Sequence, residues 1–223
     1  MKIFGLVKTS TVDYPSKLVS TIFLGGCNLD CHYCQNRELI NPPKNMKEIS
    51  IKELLKHLDN RKDIIEGLCI SGGEPSIHND KLVELVKNIK KNMGDSFFIK
   101  LDTNGTNPEF LKKNMDLFDF IAMDYKSLNY EKDLDFSSGK IKESLEVLKT
   151  YKKDYEIRIT VYPEYIKVTD FIDLANSLIG IKKVAIQQYK PVEYGVEETY
   201  SPSVLYELKK LIEDNKIECE LRC

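Results

Sequence analysis

Short apolar runs alternate with amphipathic stretches along the whole chain. The runs cover residues 18–24, 67–70, 97–101, 118–123, 157–161 and 184–186. Most are β-branched or aromatic and apolar at nearly every position, the pattern of parallel strands covered on both faces. The stretches between them carry helix signals. "SIKELLKHL" sets Ser50 and Glu53 at capping-box spacing, with Leu54, Leu55 and Leu58 on one face. "NDKLVELVKNIKKNMG" carries Leu82, Val86, Ile89 and Met93 as a stripe and ends on Gly94. Asn107-Pro108 and Ser201-Pro202 each read as an N-cap followed by proline at the first helical position. This alternation predicts right-handed βαβ units in a parallel sheet. About six units fit the length, short of the eight in a closed barrel. The expected fold is therefore α/β, a partial, open (β/α)6 TIM-type barrel with outer helices. With no Pro/Gly/Ser-rich linker, repeat or low-complexity tract, residues 1–223 are expected to form a single domain.

The polar islands fall at the ends of the runs. "GGCNLDCHYCQN" (25–36) follows the first, "SGGEP" (71–75) the second and "DTNG" (102–105) the third. "MDYK" (123–126) closes the fourth, Arg158 lies within the fifth, and "QQYKP" (187–191) follows the sixth. In parallel α/β folds the C-terminal strand ends share one rim, where sites are built.

Composition narrows the chemistry. Hydrophobic residues make up 42% and charged residues 30%, the balance of a soluble globular chain. A net charge of -2 gives no footprint for a phosphate backbone, so no nucleic-acid partner is expected. No apolar run approaches the roughly 20 residues that span a bilayer. The start "MKIFGLVKTS" lacks the apolar segment of a secretion signal. The expected location is cytoplasmic and away from membranes, where clustered thiols mean metal or catalysis more often than disulfides.

Cys27, Cys31 and Cys34 share one loop. Disulfides use cysteines in pairs and closed zinc sites use four ligands, so three is an awkward number. Three thiolates suit a cubane [4Fe–4S] cluster with its fourth iron open to another ligand. The alternative is a zinc site completed by His32, His57, Cys69 or Cys219. Cys69 sits inside an apolar run and reads as core. Cys219 and Cys223 fall in the last five residues, where tails fray, and have no assigned role.

Cys27-x3-Cys31-x-Tyr33-Cys34 and Gly72-Gly73-Glu74-Pro75 resemble the signature motifs of radical S-adenosylmethionine (SAM) enzymes. Together with "TSTVDYP" (9–15), "DTNG", "MDYK" and "QQYKP" in this order, they resemble the activating enzymes of glycyl-radical enzymes. Within that group the compact type that activates anaerobic ribonucleoside-triphosphate reductase is the most similar. The resemblance implies a [4Fe–4S] cluster on Cys27, Cys31 and Cys34, with SAM chelating the open iron. It implies that the backbone at Gly72, Gly73 and Glu74 receives the SAM amino group and that Tyr33 and Gln35 lie near the adenine. A glycine pair lets backbone come close to a ligand; a plain strand-to-helix turn is the other reading.

By the same resemblance Asp102, Thr103, the Ala122 carbonyl and Asp124 hold a monovalent cation beside the SAM carboxylate. Two strand-end carboxylates equally suit capping of the following loops. Tyr125, Lys126 and Arg158 belong to the implied SAM site, the last two supplying positive charge. Lys190 departs from relatives that carry a nucleoside-contacting His there. No residue is expected to act as a catalytic acid or base.

The implied partners are a glycyl-radical enzyme as protein substrate and an electron donor such as ferredoxin or flavodoxin. Two other functions compete. One is a small-molecule radical SAM enzyme, for example of 7-deazapurine biosynthesis. The other is a non-catalytic iron–sulfur carrier or zinc module.

Overall fold

The structure is a computed structural model that describes all 223 residues. Eight strands follow one another in chain order across a mostly parallel sheet. They are β1 (Ile3–Ser10), β2 (Val19–Leu24), β3 (Gly67–Gly72), β4 (Phe98–Thr103), β5 (Phe120–Asp124), β6 (Asp154–Val161), β7 (Lys183–Gln188) and β8 (Glu218–Arg222). The helices are α1 (Ile51–Asp59), α2 (Asp80–Met93), α3 (Pro108–Asn114), α4 (Tyr130–Leu134), α5 (Ser138–Lys149), α6 (Phe171–Ser177) and α7 (Pro202–Asp214). Strands β2 to β7 are the six apolar runs, and the fold is the expected partial TIM-type α/β fold. No helix is long and apolar enough to cross a membrane.

The helix ends follow their local chemistry. Ser50 and Glu53 form the reciprocal capping box of α1, with N···O distances of 3.2 and 2.8 Å. Asn107 Oδ1 accepts the Phe110 amide at 3.1 Å at the start of α3. Gly94 ends α2 at φ 86°, a backbone region that favours glycine. Ser201 takes the N-cap position of α7, but its hydroxyl pairs with Ser203 Oγ at 2.7 Å instead of capping a backbone amide.

Two strands lie outside the sequence pattern. β1, antiparallel to β2, opens on the apolar IFGLV (3–7), which was not among the six runs, and only its Ile3 and Ser10 are buried. The C-terminal residues, expected to fray, form β8, parallel to β7 in the register Val184↔Cys219 and Gln187↔Arg222. Cys219 is the one buried residue of β8. Arg222 fixes the strand by a bidentate pair to Glu156 (3.0 and 2.8 Å), whose side chain is buried in β6.

The chain forms two compact units. The first comprises Met1–Asn28, Asn36–Thr103 and Lys112–Ile121. There β2, β3 and β4 pair in parallel, and Leu54 and Leu58 of α1 and Leu82, Val86 and Ile89 of α2 are buried. The "TSTVDYP" segment is structural in this unit. Ser10 Oγ accepts the amides of Val12 and Asp13 at 3.3 and 3.2 Å, and the Asp13 carboxylate accepts from Thr21 Oγ1 at 2.6 Å. Tyr14 is buried against the rings of Phe98 and Phe120, at 6.2 and 5.6 Å. Those phenylalanines begin β4 and β5, so the segment sits at the N-terminal strand ends. The second unit comprises Leu29–Gln35, Asn104–Leu111 and Ala122–Cys223. It contains the parallel strands β6, β7 and β8, and its core includes Ile157, Ile159, Val184, Ile186, Leu205 and Leu208.

Candidate functional site

The first unit carries Cys27, the motif that ends β3, and Asp102 and Thr103 at the end of β4. Leu24 pairs with Gly72, so β2 and β3 end side by side. Beyond the pair, the Gly73 amide donates to Leu24 O and the Glu74 amide to Gly26 O, both at 2.8 Å. "SGGEP" is thus hydrogen-bonded to the base of the cysteine loop. A Cβ on Gly73 would overlap the Gly26 carbonyl oxygen, 2.7 Å from its carbon and 3.3 Å from Cys27 N. Gly72 combines φ 122° with a Cβ direction that runs into β2, 2.9 Å from Phe23 C. The protein's own backbone therefore demands both glycines. His78, which the sequence reading missed, fixes the same base, with Nε2 2.9 Å from Gly25 O.

Glu74 points inward, 1% exposed. Its Oε1 accepts from Ser76 N at 3.0 Å and from Thr103 Oγ1 at 2.7 Å, tying the end of β3 to the end of β4. Its side chain is committed to that link. Asp102 is ion-paired to Lys100, two residues earlier on the same face of β4.

The second unit carries Cys31, Tyr33, Cys34, Gln35, Asp124, Tyr125, Lys126 and Arg158. Asp124, at the end of β5, accepts from Arg158 Nε at 2.7 Å and from Lys126 Nζ at 3.1 Å. Burial pushes its carboxyl up, but the two cations outweigh this and hold it at about 2. Burial opposes the charge on Lys126, and Asp124 reverses the balance, so its ammonium stays protonated far above neutral pH. The Lys126 amide donates to Tyr130 Oη at 2.7 Å, anchoring the turn after β5. Two cations are thereby held at one strand end. Tyr125 is buried, its ring 6.0 Å from that of Tyr130, so the side chain belongs to the core.

Tyr33 is also buried, with its ring 5.0 Å from Tyr162, 5.7 Å from Tyr165 and 6.4 Å from Tyr189. Lys126 Nζ stands 5.7 Å from its ring centroid, within reach of a cation–π contact. The sequence reading missed these three tyrosines, although "VYPEY" and "QQYKP" place each at or just past a strand end. Gln35 and Lys190 are exposed. Asn104 Oδ1 accepts from Thr106 N at 3.0 Å, and Gly105 turns the chain at φ 73° with Met123 Sδ 2.8 Å from where a Cβ would lie.

None of the six cysteines forms a disulfide. No three His, Cys, Asp or Glu side chains stand together as a ready-made metal site. Burial pushes the Cys31 thiol up, with Lys126 pulling the other way. Ligation by Cys31 thus requires loss of a proton that burial favours. Cys69 and Cys219 are buried in β3 and β8. The donor chemistry, three cysteines of one loop with none in a disulfide, fits an iron–sulfur cluster.

A family model described as the Radical SAM superfamily matches residues 21–176. A Methanocaldococcus jannaschii relative bearing the name glycyl-radical enzyme activating enzyme is 31% identical over 205 residues, covering 87% of this chain and 82% of the relative. The pyruvate formate-lyase-activating enzyme of Staphylococcus epidermidis is 28% identical over 224 residues, covering 90% of this chain and 85% of that protein. The structure of Streptococcus suis SuiB bound to S-adenosylmethionine shares the fold. Its TM-score is 0.64 at 16% identity, over 91% of this chain and 52% of that one. The chain belongs to the radical SAM superfamily, in its branch of glycyl-radical enzyme activating enzymes. Membership implies a [4Fe–4S] cluster and SAM as cofactors.

Proposed function

We propose that this protein activates a glycyl-radical enzyme, and that the target is an anaerobic ribonucleoside-triphosphate reductase. The observation that carries the reading is the seating of Gly73 on Leu24 and of Glu74 on Gly26, which joins the two superfamily motifs through backbone hydrogen bonds. Cys27, Cys31 and Cys34 would hold the cluster. When bound, cluster and SAM supply, with one electron, methionine and a 5′-deoxyadenosyl radical that takes a hydrogen atom from a partner's backbone glycine. The protein's task is to bind and orient. Lys126 and Arg158, pinned by Asp124, present fixed positive charge suited to the SAM carboxylate. Asp124 remains ionised throughout the physiological range. Neither it nor any other residue has to move a proton in this scheme. Residues 1–223 would work as one domain in the cytoplasm, with ferredoxin or flavodoxin as electron donor.

The test is anaerobic reconstitution with iron and sulfide. Cys27→Ala, Cys31→Ala and Cys34→Ala should each lose the cluster absorbance, and Cys69→Ala should keep it. Mixed with SAM, reductant and the partner, the loaded protein should release 5′-deoxyadenosine and give the doublet of a glycyl radical in electron paramagnetic resonance. Zinc without iron in anaerobically purified protein would refute the cluster. Turnover of SAM with a purine precursor consumed, and no glycyl signal from any candidate partner, would establish the small-molecule reading instead.

A further inference from the structure

Lys100 is a buried cation that the proposed chemistry does not use. It lies in the middle of β4 and is 2% exposed. Its ammonium is ion-paired to Asp102, stands 3.8 Å from Cys69 Sγ on the neighbouring strand, and is 5.9 Å from the Phe120 ring centroid. An ammonium removed from water to this degree persists only where a counter-charge holds it, and Asp102 is such a charge. The pairing is geometrically simple. Residues i and i+2 of a strand share a face, so the Lys100 side chain runs along β4 to the carboxylate at its end.

The resemblance to other activating enzymes implies a monovalent cation on Asp102, Thr103, the Ala122 carbonyl and Asp124. The side chains present do not fit that ion. The Asp102 carboxylate already has an ammonium against it. In its own unit, Asp124 already has a guanidinium and an ammonium. A further positive ion would have to compete at each carboxylate with a cation tethered by the chain, which loses no translational freedom on binding.

We infer that Lys100 is a built-in counter-ion for Asp102: its ammonium supplies at that carboxylate the positive charge that the resemblance gives to a free monovalent cation, and it positions Asp102 without one. The assignment rests on reading the end of β4 as part of the SAM site, and the ion-binding experiment below is independent of that reading. An ammonium and a potassium ion are close in size and charge. Replacing Lys100 by an uncharged side chain should therefore turn a cation-independent protein into a cation-dependent one. A purely structural lysine would not produce that response.

Cluster-loaded protein is titrated with SAM in KCl, NaCl and choline chloride at one ionic strength, and wild type alone is titrated with Tl+ by thallium-205 resonance. For wild type, SAM affinity should agree within about twofold across the salts, and Tl+ should show no saturable binding. Lys100→Met should bind SAM about tenfold or more weakly in choline chloride and regain affinity in KCl. A wild type that loses SAM affinity in choline chloride, or that binds Tl+ saturably, overturns the inference. So does a folded Lys100→Met that responds to none of the salts. Should Lys100→Met fail to fold, the wild-type measurements still decide, and the thallium titration reads the site whether or not SAM binds.

Discussion

Replacing Gly73 by valine tests the coupling between the two motifs most directly. The missing Cβ of Gly73 faces backbone, not a side chain that could swing away. Its Cβ would lie 2.7 Å from Gly26 C, where ordinary contact begins near 3.4 Å, and would overlap the carbonyl oxygen outright. Relief requires the 26–27 peptide to move by more than half an ångström, which also breaks the Glu74 N–H bond to Gly26 O. Overpacking of this kind costs about 1–3 kcal/mol and a lost backbone hydrogen bond about 1, for a sum of roughly 2–4 kcal/mol. For a chain of this length that lowers Tm by roughly 4–16 °C. Because Cys27 follows Gly26, the variant should also retain less iron after reconstitution. This differs from the expectation that the glycine pair serves a ligand alone, under which the cluster would survive. The assays are thermal melting and iron and sulfide content, with Gly139→Ala as a control whose Cβ meets only Ser137 Oγ at 3.4 Å. Wild-type melting and iron content in Gly73→Val, with SAM affinity alone reduced, would refute the reasoning.

Two further outcomes follow from burial and charge. Asp124 titrates at about 2 in the fold against its ordinary 3.8, so its contribution is fully present above about pH 5 and is lost as pH falls toward 2. With the side chain 30% exposed, that contribution is about 1–2 kcal/mol; urea midpoints of wild type and Asp124→Asn should converge on acidification, and parallel curves would refute the pairing. Cys219 is buried with its thiol pushed up to about 12, whereas Cys223 is exposed, so iodoacetamide should modify Cys223 and spare Cys219 until the protein unfolds. Equal rates for the two thiols in native protein would show that β8 does not hold the C-terminus.

The strands β2 to β7, the helices α1, α2, α3 and α7 and the order of motifs at the strand ends were legible in the sequence. Each is written in local terms: a run of apolar residues, a stripe at helical spacing, Ser50 three residues before Glu53. The three thiols were legible for the same reason, since three and two residues separate them in one loop. The tertiary structure decided everything that depends on partners distant in the chain. Glu74 reads as a ligand residue until Thr103 is found beside it, and nothing around Tyr33 in the chain announces Tyr162, Tyr165 and Tyr189, whose rings surround it. Gly73 needs to be glycine because of a carbonyl 47 residues earlier at Gly26, a distance no spacing rule encodes. Strand β8 left no apolar run because only one of its residues is buried, and the apolar IFGLV of β1 gave no sign that this strand would run antiparallel. Lys100 is the sharpest case. A lysine in an otherwise apolar run gives no sign of its environment in sequence, and only the closure of β3 and β4 around it decides that its charge must be held by Asp102 instead of by water.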